Sequence, residues 1–184
     1  MKKNLIILGV VVLVVGGYIW STYNKLITGN ESVDNQWAQV ETQYQRRFDL
    51  IPNLVSSVKG AMAQEEKVFG DLADARTKYS GATDVNQKAE AATEVESALS
   101  RLLVIMENYP ELKSLDTVQT LMAQLEGTEN RVSVERKRYN DLVKDFNLVV
   151  KRFPANMIAG MLGFSERNYF EAVEGADVVP QVEL

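Results

Sequence analysis

Apolar residues recur along most of this chain at seven-residue intervals, and the intervals predict long helices packed side by side. Trp37, Tyr44, Ile51 and Val58 form one series, and Phe48, Val55, Met62 and Phe69 form a second on the adjoining stripe. A repeat of this length keeps one face of a helix turned to its partners with slight left-handed supercoiling, the pattern of a coiled coil. The register runs through Pro52 without a slip. An interior proline removes one hydrogen bond and costs ~3 kcal/mol, so the spacing predicts a kink at Pro52 within one helix from about Ser21 to Lys78. At the standard helical rise such a rod is ~87 Å long and outruns its partners.

Ser80-Gly81-Ala82-Thr83 reads as a loop, and Asp84 as the N-cap of a second helix, with Gln87 completing a capping-box pattern. Val85, Ala92, Leu99 and Met106 carry the seam of that helix, and Tyr109-Pro110 ends it, because a residue before proline disfavours helical geometry. A third helix starts near Asp116, with Gln119 again three residues on. It keeps Val118, Leu125, Val132, Tyr139, Phe146 and Phe153 in register until Pro154 stops it. Met157, Ile158, Met161 and Leu162 form a short apolar segment with Gly163 as its C-cap. An acidic tail around Glu174, Asp177 and Glu183 follows.

The first two dozen residues are of another kind. From Asn4 to Asn24 nothing is charged, and Leu5 to Trp20 reads LIILGVVVLVVGGYIW, apolar on every side of a helix. That stretch spans ~31 Å, close to the hydrocarbon thickness of a bilayer. Tyr18, Trp20 and Tyr23 stand where an interfacial aromatic belt would sit. A cleaved signal peptide shares the Lys-Lys start, but the flank YIWSTYN offers no small-residue cleavage site. The predicted organisation is a transmembrane anchor over 1–24, touching the lipid bilayer through residues 4–24, a helical bundle over 25–164 and a tail over 165–184. The fold class is all-α: the transmembrane helix, then an antiparallel bundle of three long helices, the first kinked near Pro52, plus a short fourth. The expected location is the cell membrane, spanned once. Lys2 and Lys3 favour a cytoplasmic N-terminus and an external domain, and Lys25 opposes this slightly.

Composition removes most chemistries. The chain has no Cys and no His, which excludes disulfides, thiol catalysis, histidine acid–base work and nearly all zinc or iron ligand sets. Oxygen-only metal binding is the one class left, and the Glu-x-x-His pairs of di-metal bundles cannot occur. The net charge is −5. It becomes more negative once Lys2 and Lys3 are set aside, so nucleic acid is not an expected partner. No catalytic, cofactor-binding or metal residue is predicted, and the chain reads as a non-enzyme.

Polar residues do interrupt the seams: Arg46, Arg47 and Asp49 in the first helix, Glu107 and Asn108 at the end of the second, Glu129, Asn130 and Arg136 in the third. The favoured reading is an ion-paired layer that fixes register; the other is a ligand or ion site inside the bundle. Glu65-Glu66 and Glu90, Glu94 and Glu96 read as a solvated face. Met157 to Phe170 reads as a plug for the bundle end rather than an exposed hook for a partner or the membrane.

Several stretches, in order along nearly the whole chain, resemble the LemA family: Tyr23-Asn24-Lys25-Leu26, Val33-Asp34-Asn35-Gln36-Trp37, RRFDLIPNLVSSVKG from Arg46, ENYPELKS from Glu107, LEGTENRVSVERKRYND from Leu125, FPANMIAGMLGF from Phe153, and Tyr169-Phe170-Glu171. The resemblance implies a bacterial membrane protein with one N-terminal transmembrane helix and an antiparallel bundle of about four helices. It implies no enzymatic activity and supplies no site residue. It also implies a cytoplasmic domain, opposite to what Lys2 and Lys3 favour. The expected function is a membrane-anchored, non-catalytic interaction or scaffold module that binds a protein partner or itself. The alternative is a tethered sensor of a small ligand or ion at the polar layer around Arg47, Glu129 and Arg136.

Overall fold

The computed structural model describes residues 2–170, and it is helical with no strand among them. The helices are α1 (Lys2–Val58), α2 (Glu66–Gly81), α3 (Val85–Ile105), α4 (Pro110–Lys113), α5 (Asp116–Lys151) and α6 (Ala155–Met161), with a 3₁₀ turn over Met106–Asn108. The all-α bundle expected from the spacing is present. The acidic tail around Glu174, Asp177 and Glu183 lies outside the described residues.

The first rod needs a correction. Helix α1 carries Pro52 inside it but ends at Val58, not near Lys78. Tight turns over the next residues, with Met62 N–H donating to the Val58 carbonyl and Glu65 N–H to that of Met62, lead into α2. The physical reason is burial. Folding back sets Tyr79 of α2 against Phe48 of α1, ring centres 4.7 Å apart and nearly perpendicular, and beside Tyr44 at 5.8 Å. Continued straight on, α2 would leave Leu72, Ala75 and Tyr79 in water; here all three are buried. Pro52 is on the exposed side of α1, where its missing N–H costs one bond to the Phe48 carbonyl while Ile51 and Leu54 stay buried.

Two compact units divide the described chain. One contains α1 up to Ala38 with Arg138–Tyr169; the other contains Gln39–Lys137 with Phe170. In the first, α1 and α5 run antiparallel. Trp37 meets Tyr139 edge-on at 5.3 Å, and Gly29 lies so close to Phe146 that a Cβ there would stand 3.0 Å from its ring. Leu26, Val33, Val143, Ala155 and Ala159 complete that core. Helix α6 closes as predicted at Gly163, whose φ is +78°. The Phe164 N–H donates to the Ala159 carbonyl at 2.9 Å and that of Gly163 to Gly160 at 3.3 Å, the paired bonds of a Schellman end. The apolar run from Leu5 to Trp20 is exposed along its length, and burial begins at Thr22.

In the second unit, α1, α2, α3 and α5 surround one core. The seam residues Tyr44, Ile51, Val58, Ala92, Leu99, Met106, Val118, Leu125 and Val132 are all buried. Asp84 caps α3 as expected, accepting from the N–H groups of Asn86 and Gln87 at 2.9 Å each. Gln87 accepts from the Thr83 N–H at 3.3 Å. Helix α3 gives way to the 3₁₀ turn at Met106, before Pro110, which starts α4 instead. At the start of α5 the predicted capping box is replaced: the Gln119 side chain donates to the Lys113 carbonyl at 3.0 Å.

Candidate functional site

The polar layer is in the second unit, and helical geometry selects its members. On α1 the inward positions Tyr44, Arg47, Phe48 and Ile51 follow the i, i+3, i+4, i+7 stripe, so Arg47 is carried into the core by its place in the repeat. Its flanking neighbours Arg46 and Asp49 are exposed, as are Glu107, Asn108 and Asn130. Those five do not join the layer, because each falls off the buried stripe of its helix or past its end.

Arg47 is 8% exposed. One guanidinium nitrogen donates to the Leu125 carbonyl at 2.6 Å and approaches Thr128 Oγ1 at 3.4 Å; the other pairs with Glu129 at 2.8 Å. Thr128 in turn donates to the Leu125 carbonyl at 2.8 Å. Arg136 is not part of that pair. It lies 3.7 Å from Glu96, and its guanidinium carbon stands 4.1 Å over the ring of Phe170. The structure therefore joins two of the three residues singled out from the sequence, Arg47 and Glu129, and gives the third a partner of its own.

That partner corrects the solvated-face reading. Glu90 is exposed and Glu94 bonds exposed Lys78 at 2.7 Å, but Glu96 is turned toward the layer and half-buried. Glu96 follows Val95 and precedes Leu99 on the buried stripe, a position that the cluster of nearby glutamates disguised. Burial raises the Glu96 pKa above the ordinary carboxylate value; the Glu129 carboxylate raises it further, and Arg136 and Arg47 oppose the rise. Burial likewise raises Tyr44, with Glu96 adding to it, and Tyr79, with Glu41 adding to it. Both phenols are therefore held protonated. Arg47 Nε and the Tyr79 hydroxyl are buried without a hydrogen-bond partner among the described residues.

A second polar station, in the first unit, was not anticipated. Asn147 on α5 is buried; its side-chain N–H donates to the Arg167 carbonyl and its oxygen accepts the Arg167 N–H, both at 2.8 Å. Tyr139 donates to the Asn168 carbonyl at 3.0 Å, Arg167 pairs with Asp34, and Lys151 with Glu166 at 2.7 Å. Together they fasten an extended segment against α1 and α5. A lone asparagine on an otherwise apolar stripe was the available signal, since a buried amide needs a partner.

Between α2 and α3 an open groove of about 630 Å³ is lined by Asp71, Asp74, Glu90, Glu94, Lys78 and Arg101. Ion pairs cross it, and its acids are solvated. Among the described residues no cluster of three acidic groups stands close enough to hold a metal ion.

An all-helical bundle with a polar layer closed by internal ion pairs, preceded by an exposed apolar helix, is the class that these features define. The chain belongs to the LemA family, which it matches over residues 36–184. It is 25% identical to magnetosome proteins MamQ 1 and MamQ 2 of Paramagnetospirillum magneticum, over 87% of this chain and 70% of each relative. It is 24% identical to magnetosome protein MamQ of Magnetospirillum gryphiswaldense over the same shares.

Proposed function

We propose that this LemA-family protein is a single-pass, membrane-anchored, non-catalytic module that presents helix faces to a protein partner or to a second copy of itself. Residues 1–24 are the anchor, 25–164 the bundle and 165–184 the tail. The observation that carries the anchor is the exposure of every large apolar side chain from Leu5 to Val15 on a helix whose later turns are packed. Uncovered on all sides, such a surface calls for lipid. The charged groups of the polar layer, Arg47 with Glu129 and Arg136 with Glu96, are paired with one another. The relatives are named for the magnetosome, not for a reaction, which fits a non-catalytic role.

The cysteine-free sequence makes the test direct. Single cysteines at the exposed α5 positions Gln124 and Arg131, crosslinked in intact membranes, are expected to give dimers or a discrete larger species. Recovery of monomer alone under several chemistries counts against the module. Protease access to a tag after Leu184, in cells and in spheroplasts, assigns the side. The second reading is a sensor at the polar layer, favoured by the unpartnered Arg47 Nε and Tyr79 hydroxyl. It requires that a small polar solute raise stability by the linkage expected for native-state binding.

A further inference from the structure

We propose that the α5–α6 turn and α6 form a second membrane contact, seated at the lipid interface beside the anchor; this rests on the anchor reading above. Phe153 was expected to close the seam of the third helix and Met157 and Met161 to plug the bundle end. Instead they are 80%, 61% and 87% exposed. The reason is local. Helix α5 stops at Lys151, and α6 turns Ala155 and Ala159 into the core. Positions four apart share a helix face, so Met157 and Met161 line up on a different face from that alanine pair. Three large apolar side chains thus stand in the open on one short segment, in the unit that also carries the exposed apolar run of α1.

Their place in the fold says what covers them. Leu162, the next residue, lines a groove of about 440 Å³ with Gly16, Ile19, Trp20, Tyr23 and Asn24. Those anchor residues are the aromatic-belt end of the apolar run. A helix that spans the bilayer fixes their depth at the boundary between acyl chains and headgroups, and whatever packs on them sits at that depth. An amphipathic segment lying there buries its apolar side chains about 5–10 Å into the interface. Exposed Lys25 and Arg152, and Lys151 in its pair with Glu166, stand near by in the chain, where cations meet phosphate groups. Continuity with the anchor therefore selects lipid over a protein partner for this patch.

The test uses the full chain, with single cysteines carrying an environment-sensitive fluorophore, in phosphatidylcholine vesicles. The labels replace Met161 (the patch), Val11 (the anchor) and exposed Lys67 on α2 (a water-facing reference). The expected result is blue-shifted emission at 161, quenched more by lipids spin-labelled high on the acyl chain than by lipids labelled near its end. Val11 should show the opposite depth preference, and Lys67 no lipid quenching. If Val11 is quenched and 161 is not, the anchor stands and the second contact is refuted. If 161 is shielded from aqueous iodide without lipid quenching, protein covers the patch and the inference also fails. If Val11 itself escapes lipid quenching, the anchor reading falls and takes this one with it.

Discussion

Which half of the Arg47–Glu129 pair is removed should decide the outcome, because the two partners differ in burial. Arg47 is 8% exposed, whereas the Glu129 side chain is 44% exposed. Replacing Arg47 with Met keeps an unbranched stem in the core and removes the charge. The Leu125 carbonyl is not stranded, since Thr128 still donates to it, and Glu129 can hydrate. The lost charge-assisted bonds, about 1.5–3 kcal/mol each at most, are set against several kcal/mol of desolvation no longer incurred. The net change should lie within about 1 kcal/mol of zero. Glu129→Leu leaves the buried guanidinium bonded to a carbonyl and a hydroxyl, with no carboxylate paired to it and Glu96 acting only through its charge. Breaking a fully buried pair costs about 3–5 kcal/mol, and the exposure of Glu129 reduces this to about 2 kcal/mol. The double variant should return to the level of Arg47→Met alone, a coupling of about 2 kcal/mol. Urea unfolding followed by far-UV circular dichroism, on the full chain in detergent and at constant m, measures all three. Arg47→Met costing more than about 2 kcal/mol while Glu129→Leu is silent would refute the reasoning, because the guanidinium would then have work other than its pair.

Three further outcomes follow from other parts of the molecule. Asn147→Ala should cost about 2 kcal/mol and speed amide exchange at Arg167, because two buried bonds vanish at once; unchanged exchange there would show the segment is held without it. Glu96 has a raised folded-state pKa, so its protonated form is the one folding prefers: its contribution is fully present below the unfolded value and is lost as pH rises through the folded one. Glu96→Gln should therefore be more stable than the parent at pH 7, with the gap closing toward the ordinary carboxylate range; a gap that does not change with pH would contradict this. Gly60→Ala meets open space and needs no left-handed backbone, so it should be neutral or stabilise by about 0.5–1 kcal/mol in thermal melts; a marked loss would mean that Gly60 itself sets the turn between α1 and α2.

How far the fold could be read ahead depended on whether a signal was periodic or topological. The buried seams of α1, α3 and α5 were visible because each seventh residue must face the core. Asp84 and Gly163 were visible because a cap is a local solution to local orphan groups. The end of α1 at Val58 was not. Buried Met62 keeps the register running past it, Gly60 is a weak signal on its own, and Pro52 is the stronger but wrong candidate. Only the packing of Tyr79 against Phe48 says where the chain must fold back, and that partnership is non-local.

The candidate site divides in the same way. Arg47 was legible as a charge on a buried stripe, since the repeat places it inward whatever its partner is. Its pairing with Glu129 was legible only as a class of solution, because seam position does not specify which acid reaches which base across the bundle. Glu96 was misplaced because one residue of helix rotation separates a solvated face from a polar layer, and Glu90 and Glu94 share its composition. Phe153 shows the reverse failure: it keeps the heptad position yet stands in solvent, because α5 ends two residues earlier. A periodic pattern states where a side chain would point if the helix continued. Where the helix stops, the same residue becomes free for another surface, which is why the end of α5 is the place to look for lipid.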